Sequence, residues 1–79
     1  MDNTLLVAKS LDFHQLMRIA EGMSYKHETV VIKARGKQIQ RAVEVAVMLR
    51  ERGRGTIDAT KYGVGGEVHI PSIEINITV

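Results

Sequence analysis

Apolar and polar residues alternate along two stretches of the chain, and such alternation is typical of a β-strand with one buried face. Residues 29–34 show it among mainly β-branched positions, and residues 73–79 show it after Pro71. Further apolar or β-branched runs at residues 4–8 and 56–62 predict two more strands. The predicted inward positions of the two alternating strands are Val30, Ile32, Ala34, Ile73, Ile75, Ile77 and Val79.

Between the predicted strands at residues 4–8 and 29–34, apolar residues recur every three or four positions, which predicts an amphipathic helix beginning near Leu11. Ser10 is a suitable N-terminal cap, and Asp12 in the first turn would favour the positive end of the helix dipole. The helix ends either at Gly22 or in the polar segment 24–28. Its predicted buried face consists of Phe13, Leu16, Met17 and Ala20.

A second helical pattern covers residues 37–52, and Gly53 follows it as a natural C-terminal stop. Its predicted buried stripe is Ile39, Ala42, Val43, Ala46, Val47 and Leu49. Its predicted opposite face contains Lys37, Arg41, Glu44, Met48 and Arg52. Met48 is the apolar member of that polar face, so it is either a tolerated surface methionine or a contact with a partner.

The resulting element order is β-α-β-α-β-β, with residues 63–67 as a glycine-rich hairpin tip between the last two strands. This order predicts an α+β fold, a two-layer sandwich in which one mixed four-stranded sheet carries two helices on one face. Residues 1–79 then form a single domain. The hairpin glycines do not resemble a nucleotide-binding phosphate loop, because no helix follows them.

The length of the chain places it near the lower limit for a domain with a single hydrophobic core. Its 79 residues include no cysteine, so neither disulfide bonds nor thiolate–zinc sites add stability. We therefore expect homodimerisation. No signal peptide and no apolar run of membrane-spanning length is recognisable, so we expect a cytoplasmic protein with no membrane partner.

Residues that catalyse reactions or bind metals form no recognisable constellation along the sequence. His14, His27 and His69 lack the spacing of metal ligands, and no serine lies in a nucleophile-elbow motif. We therefore expect no metal site, no cofactor, no small-molecule substrate and no enzymatic activity.

Positive charge is concentrated in residues 33–41. The net charge is only +2, from 11 Lys and Arg against 9 Asp and Glu, but this segment has four cations and no acid. Cations at a helix N-terminus oppose the helix dipole, so their presence there favours an anionic ligand such as phosphate. Gly36 would let a phosphate approach the backbone closely. The alternative is an ordinary solvated turn. The four cations are Lys33, Arg35, Lys37 and Arg41.

Two further cationic positions are weaker candidates for nucleic-acid contact. Arg50, Arg52 and Arg54 lie at the C-terminal end of the second helix, where cations complement the helix dipole without any ligand. Arg54 lies between two glycines and is the member of this group that is predicted to reach outward. Lys61, near the base of the hairpin, is the other candidate. With one phenylalanine, two tyrosines and no tryptophan, the chain favours phosphate contact over stacking on bases.

The central segment Val-Ile-Lys-Ala-Arg-Gly-Lys closely resembles the strand–loop–helix signature of the Alba family, small basic proteins that coat DNA and RNA. The matching positions are residues 31–37, Ile39, residues 41–43 and Arg50, with residues 6–9 and 71–77 towards the ends of the chain. The resemblance implies a homodimer whose basic loops and paired hairpins straddle nucleic acid. It places Lys9, Lys33, Arg35, Lys37 and Arg41 on family cations that meet phosphates.

Several positions differ from the usual Alba pattern. Ser10 replaces a second lysine, Gln15 replaces an early aromatic residue, and Gly53 replaces the aromatic residue that often ends the second helix. The hairpin has few cations and carries Glu67 and His69 at its tip. These differences indicate weaker or RNA-directed binding rather than cooperative coating of DNA.

We therefore expect a cytoplasmic, nucleoid-associated homodimer that binds DNA, RNA or both without sequence preference. The predicted contacts are Lys9, Lys33, Arg35, Gly36, Lys37 and Arg41, with Arg54 and Lys61 as secondary contacts. The alternative function is a protein–protein interaction module, or a subunit of a ribonucleoprotein or RNA-processing complex, in which Met48 contacts the partner.

Overall fold

The computed structural model describes residues 3–65 and 70–79, which contain two helices and one four-stranded sheet. The elements are β1 (Thr4–Leu6), α1 (Phe13–Lys26), β2 (Thr29–Arg35), a 3₁₀ turn (Gly36–Gln38), α2 (Ile39–Glu51), β3 (Thr56–Gly65) and β4 (Ile70–Thr78). The strand order is β1-β2-β4-β3, with β1 parallel to β2 and the other pairs antiparallel. The predicted α+β fold with a mixed sheet is confirmed.

One face of the sheet packs against both helices and forms the hydrophobic core. Alternation along β2 buries its three predicted inward residues, and alternation along β4 buries its three isoleucines. Val79 follows the end of β4 and is exposed, so its predicted inward position is wrong. The core residues are Leu5, Val7, Leu16, Met17, Ala20, Val30, Ile32, Ala34, Ala42, Val45, Ala46, Leu49, Ile73, Ile75 and Ile77.

Helix α1 begins at Phe13, two residues later than the sequence predicted, and Asp12 rather than Ser10 is its N-cap. The Asp12 carboxylate accepts a hydrogen bond from the Gln15 N–H at 2.8 Å, and the Gln15 side-chain oxygen accepts one from the Asp12 N–H at 2.9 Å. This reciprocal pair is a capping box. Gln15 therefore satisfies a backbone group at the helix start.

The other end of α1 lies beyond Gly22, which the helix passes through without a break. The helix ends at Lys26, inside the polar segment that was the second predicted stop. A single glycine in a helix costs only about 1 kcal/mol relative to alanine, so packing of the flanking turns can override it. Ser24 is buried, and its hydroxyl donates a hydrogen bond to the Glu21 carbonyl at 2.6 Å.

Helix α2 buries three residues of the predicted stripe, Ala42, Ala46 and Leu49, together with Val45, which was not predicted. Val45 is fully buried, whereas Val43 is 37% exposed. Met48 is partly buried against the core, so its predicted position on a polar face is wrong. The helix has apolar residues on more than one side, and docking on the sheet selects the stripe. The buried residues of α2 are Ala42, Val45, Ala46 and Leu49.

The predicted stop at Gly53 is confirmed in detail. The Gly53 N–H donates to the Arg50 carbonyl at 3.0 Å, and the Arg54 N–H donates to the Leu49 carbonyl at 2.8 Å. This pair of bonds is a Schellman motif, and it places Gly53 at φ +70°. Glycine adopts that conformation without a steric penalty.

The hairpin strands are longer than predicted, and β1 is shorter. β3 continues through Gly65, so the first three glycine-tip residues belong to a strand, and residues 66–69, including Glu67 and His69, lie outside the described residues. β4 includes Pro71, which pairs with Val64 of β3 but lies beyond the end of β2, whose last pair is Arg35 with Ser72. A proline, which lacks a backbone N–H, is tolerated there because no strand on the β2 side needs that donor.

Neither helix within the described ranges is both long and apolar enough to cross a bilayer.

Candidate nucleic-acid interface

The strand-to-helix junction at Gly36 places exposed cations on both sides of a sharp reversal. β2 ends at Arg35, Gly36 adopts φ +57°, and a 3₁₀ turn leads into α2. A positive φ strains most other residues, so glycine suits this position. Lys33, Arg35 and Lys37 are exposed, which is the arrangement predicted for a basic segment at this junction.

The start of α2 lacks the features that normally stabilise a helix N-terminus. Gln38 is the N-cap, its backbone is helical at φ −86° and ψ −7°, and among the described residues its side chain makes no capping hydrogen bond. No acid lies in the first turn of the helix. The Ile39 N–H donates to the Gly36 carbonyl of the 3₁₀ turn. The helix dipole leaves this end electropositive, and the neighbouring cations increase that potential.

The helix-free face of the sheet carries a row of charges next to this junction. Leu6, Lys33, Glu74 and Lys61 lie side by side in register across the four strands. The Lys33 ammonium is 3.5 Å from the Glu74 carboxylate. Both groups are partly exposed, so this pair contributes little to stability, but Glu74 reduces the positive potential between the two lysines.

The next row of the same face forms a shallow floor beside Arg35. Ser72 and Gly63 are in register with Arg35 across β4 and β3. Small side chains there leave a groove of about 600 Å³, whose lining includes Leu6, Arg35 and Lys61. The groove therefore opens beside three of the predicted nucleic-acid contacts, Lys33, Arg35 and Lys61.

Arg41 lies beneath the exposed cations and is half-buried. Its Nη1 donates to the Ala8 carbonyl at 3.2 Å and to the Gln38 side-chain oxygen at 2.8 Å, and its Nη2 donates to the Leu11 carbonyl. These bonds hold the turn that contains Lys9, which is exposed. Arg41 thus contacts protein atoms at the position where the sequence predicted a phosphate contact.

The cations after α2 lie at the other end of the helix layer, and they contact α1. The Arg54 guanidinium lies 3.9 Å from the centre of the Tyr25 ring, and it donates to the Ser24 hydroxyl at 3.3 Å and carbonyl at 3.4 Å. Arg52 forms an ion pair with Glu21. The prediction that Arg54 reaches outward is therefore wrong, because the turn at Gly53 folds it back against α1.

Two residues of this surface escaped the sequence prediction. Glu74 appeared only as a polar residue in an alternating strand, and its position between Lys33 and Lys61 depends on strand register. Gln38 appeared as an ordinary residue of the second helix, but its side chain holds Arg41. In the described part of the chain, no three His, Cys, Asp or Glu side chains come together as a metal site requires.

Comparison with known proteins shows the same family that the central motif resembles. The sequence model of the Alba family matches residues 3–64 of the chain. This protein belongs to the Alba family. Alba proteins are in general nucleic-acid-binding proteins without enzymatic activity.

Two solved Alba structures share the fold of this chain. ALBA1 from Trypanosoma brucei has a TM-score of 0.88 at 21% sequence identity, over 96% of this chain and 68% of that one. Alba from Thermoplasma volcanium has a TM-score of 0.85 at 24% identity, over 98% of this chain and 100% of that one. At these identities the similarity shows the fold alone.

Proposed function

We propose that this Alba protein binds DNA or RNA without sequence preference, mainly through contacts with phosphates. We call Lys9, Lys33, Arg35 and Lys37 the basic surface. The observation that carries the proposal is the start of α2, where exposed cations surround a helix N-terminus that has neither an acid nor a side-chain cap. Family membership supports nucleic acid as the anion.

The distribution of aromatic residues supports phosphate contact rather than base stacking. Tyr25 already stacks with Arg54, away from the basic surface. Phe13 is partly buried against the core, and Tyr62 is exposed on the hairpin. Proteins that read single-stranded bases usually present several aromatic platforms, so we expect uniform affinity across sequences.

We further propose that the protein acts as a homodimer. Tyr62 and Val64 lie two positions apart on the edge strand β3, and both are largely exposed at 73% and 64%. They share the helix side of the sheet, because Tyr62 is in register with the buried Ile73. Val43 on α2 adds an exposed apolar side chain to the same layer. A second copy that covers these residues would bury apolar surface that a chain of this size otherwise leaves in water.

The salt dependence of binding tests the phosphate proposal. A dimer with this basic surface would neutralise about six to eight phosphates, so the logarithm of the duplex-DNA affinity should fall with a slope of roughly −5 to −7 against the logarithm of salt concentration. Parallel titrations with duplex RNA and single-stranded RNA identify the preferred nucleic acid. A slope near zero on all three would reject the proposal. Sedimentation of the protein alone measures whether it is dimeric.

The alternative function, a protein–protein interaction module, loses one of its arguments. Met48 was its predicted contact, but Met48 packs against the core. Retention on a polyanion column that duplex DNA or RNA can compete away would favour nucleic-acid binding over that alternative.

A further inference from the structure

We infer that Arg41 is a positioning residue, which holds the turn containing Lys9 in place on the basic surface and does not itself bind phosphate. The inference rests on the proposed function and deepens it. Of the five cations predicted to contact phosphate, Arg41 then has a different role from the other four.

The geometry places the Arg41 guanidinium across the two ends of one turn. Its Nη1 donates to the carbonyl of Ala8 and its Nη2 donates to the carbonyl of Leu11, so the two residues between those carbonyls are bracketed. The Leu11 N–H also donates to the Ala8 carbonyl at 3.2 Å, which closes the turn. Lys9 lies inside this turn and is exposed.

The hydrogen-bonding capacity of Arg41 is already directed to protein atoms. Nη1 has two hydrogens, and its two acceptors are the Ala8 carbonyl and the Gln38 side-chain oxygen. With the bond from Nη2, three of the five guanidinium donors are in use. Only two donors of this half-buried group are left for a phosphate, whereas Arg35 and Lys37 are exposed.

This role requires the shape of arginine as well as its charge. The guanidinium is a planar fork whose nitrogens reach separate acceptors, while lysine offers one ammonium on a flexible stem. Arg41→Lys therefore keeps the charge but cannot span both carbonyls with two nitrogens. Arg35→Lys is the matched control, because an exposed phosphate contact depends mainly on charge.

The decisive measurement compares Arg41→Lys, Arg35→Lys, Lys9→Ala and the double variant Arg41→Lys/Lys9→Ala on duplex DNA across a salt series. We expect Arg35→Lys to bind nearly as the parent does. We expect Arg41→Lys to lose roughly the factor that Lys9→Ala loses, about 30-fold at 0.1 M salt for two contacts in a dimer. The double variant should then lose little more than either single variant, since both changes remove the same contact.

Hydrogen exchange gives a second readout that needs no nucleic acid. We expect the Leu11 amide to exchange faster in Arg41→Lys than in the parent, while amides in the core of α2 remain protected. Thermal unfolding identifies any variant that fails to fold, and if a Lys9 variant fails, the exchange of the Leu11 amide in folded Arg41→Lys still tests the turn.

Two results would overturn the inference. One is parent-like binding and Leu11 exchange in Arg41→Lys, and the other is independent, multiplying losses in the double variant. Either would make Arg41 a direct phosphate contact. A parent protein with a salt slope near zero would instead reject the proposed function, and the Leu11 exchange would still report on the positioning role.

Discussion

The two helices of this protein begin in opposite ways. Helix α1 starts with a complete capping box, in which Asp12 and Gln15 satisfy each other's backbone N–H groups. Helix α2 starts after a 3₁₀ turn, and within the described residues the Gln38 side chain caps nothing. Gln38 instead accepts a hydrogen bond from Arg41.

This difference separates a helix start that stabilises the fold from one that is available to a ligand. A side-chain cap contributes about 1 kcal/mol, and an acid in the first turn adds a few tenths. Neither helix has an acid in its first turn, but α2 also lacks the side-chain cap, and exposed cations lie on both sides of Gly36 just before it. The N-cap of α1, Asp12, lies 26 residues before the N-cap of α2, Gln38, and it forms a standard side-chain cap. We interpret the missing cap as the condition for binding an external anion.

The largest expected effect comes from removing the cations at the α2 start. Arg35→Ala/Lys37→Ala removes four phosphate contacts from a dimer, so duplex affinity at 0.1 M salt should fall by roughly 10³-fold and the salt slope should flatten by about three to four. Both side chains are exposed, so thermal stability should be unchanged or slightly higher.

The matched control for this variant is Arg18→Ala/Lys26→Ala, which removes the same charge from exposed positions of α1. Its affinity should fall far less. Equal losses in the two double variants would show that net charge, rather than the α2 start, determines binding.

A smaller effect, on stability alone, is expected at the α1 start. Asp12→Ala leaves the Gln15 N–H without its cap and should cost about 1 kcal/mol, which lowers the melting temperature by roughly 4–8 °C in a domain of this size. Asp12→Asn keeps an acceptor oxygen and should be nearly neutral. The salt slope should not change in either variant, and a flatter slope in Asp12→Ala would contradict the division of roles between the two helix starts.

The smallest expected effect comes from making α2 resemble α1. Gln38→Glu places a carboxylate at the positive end of the dipole and beside Arg41, which should stabilise the fold by about 0.3–1 kcal/mol. The same carboxylate repels phosphate, so affinity should fall severalfold. Tighter binding together with higher stability would refute the idea that the α2 start is kept free of acid for a ligand.

The sheet was predictable from sequence because alternation with a period of two places the apolar residues of a strand on one face, which is then the buried face. Alternation predicted the buried positions of β2 and the three buried isoleucines of β4. The stripe of α2 was harder, since apolar residues such as Val43 and Val45 occur on more than one side. Only docking on the sheet determines that Val45 is buried.

The candidate site was predictable where local sequence decides it. The exposure of Lys33 and Arg35 follows from alternation along β2, although their contact with phosphate stays a prediction. The partners of Arg41 and Arg54 lie about 30 positions away in sequence, at Leu11 and Ser24. A local sequence pattern shows that a charged side chain occurs at such positions, but not whether it already hydrogen-bonds to a distant part of the chain.

The bonds from Arg41 to the Lys9 turn also have a consequence for folding. They join residues 33 and 30 positions apart, so the turn can be held only after α2 has formed and docked on the sheet. Contacts of such sequence separation carry a large loop-closure entropy and depend on the rest of the fold. An unfinished or locally unfolded chain would therefore carry the same cations without assembling them into one surface.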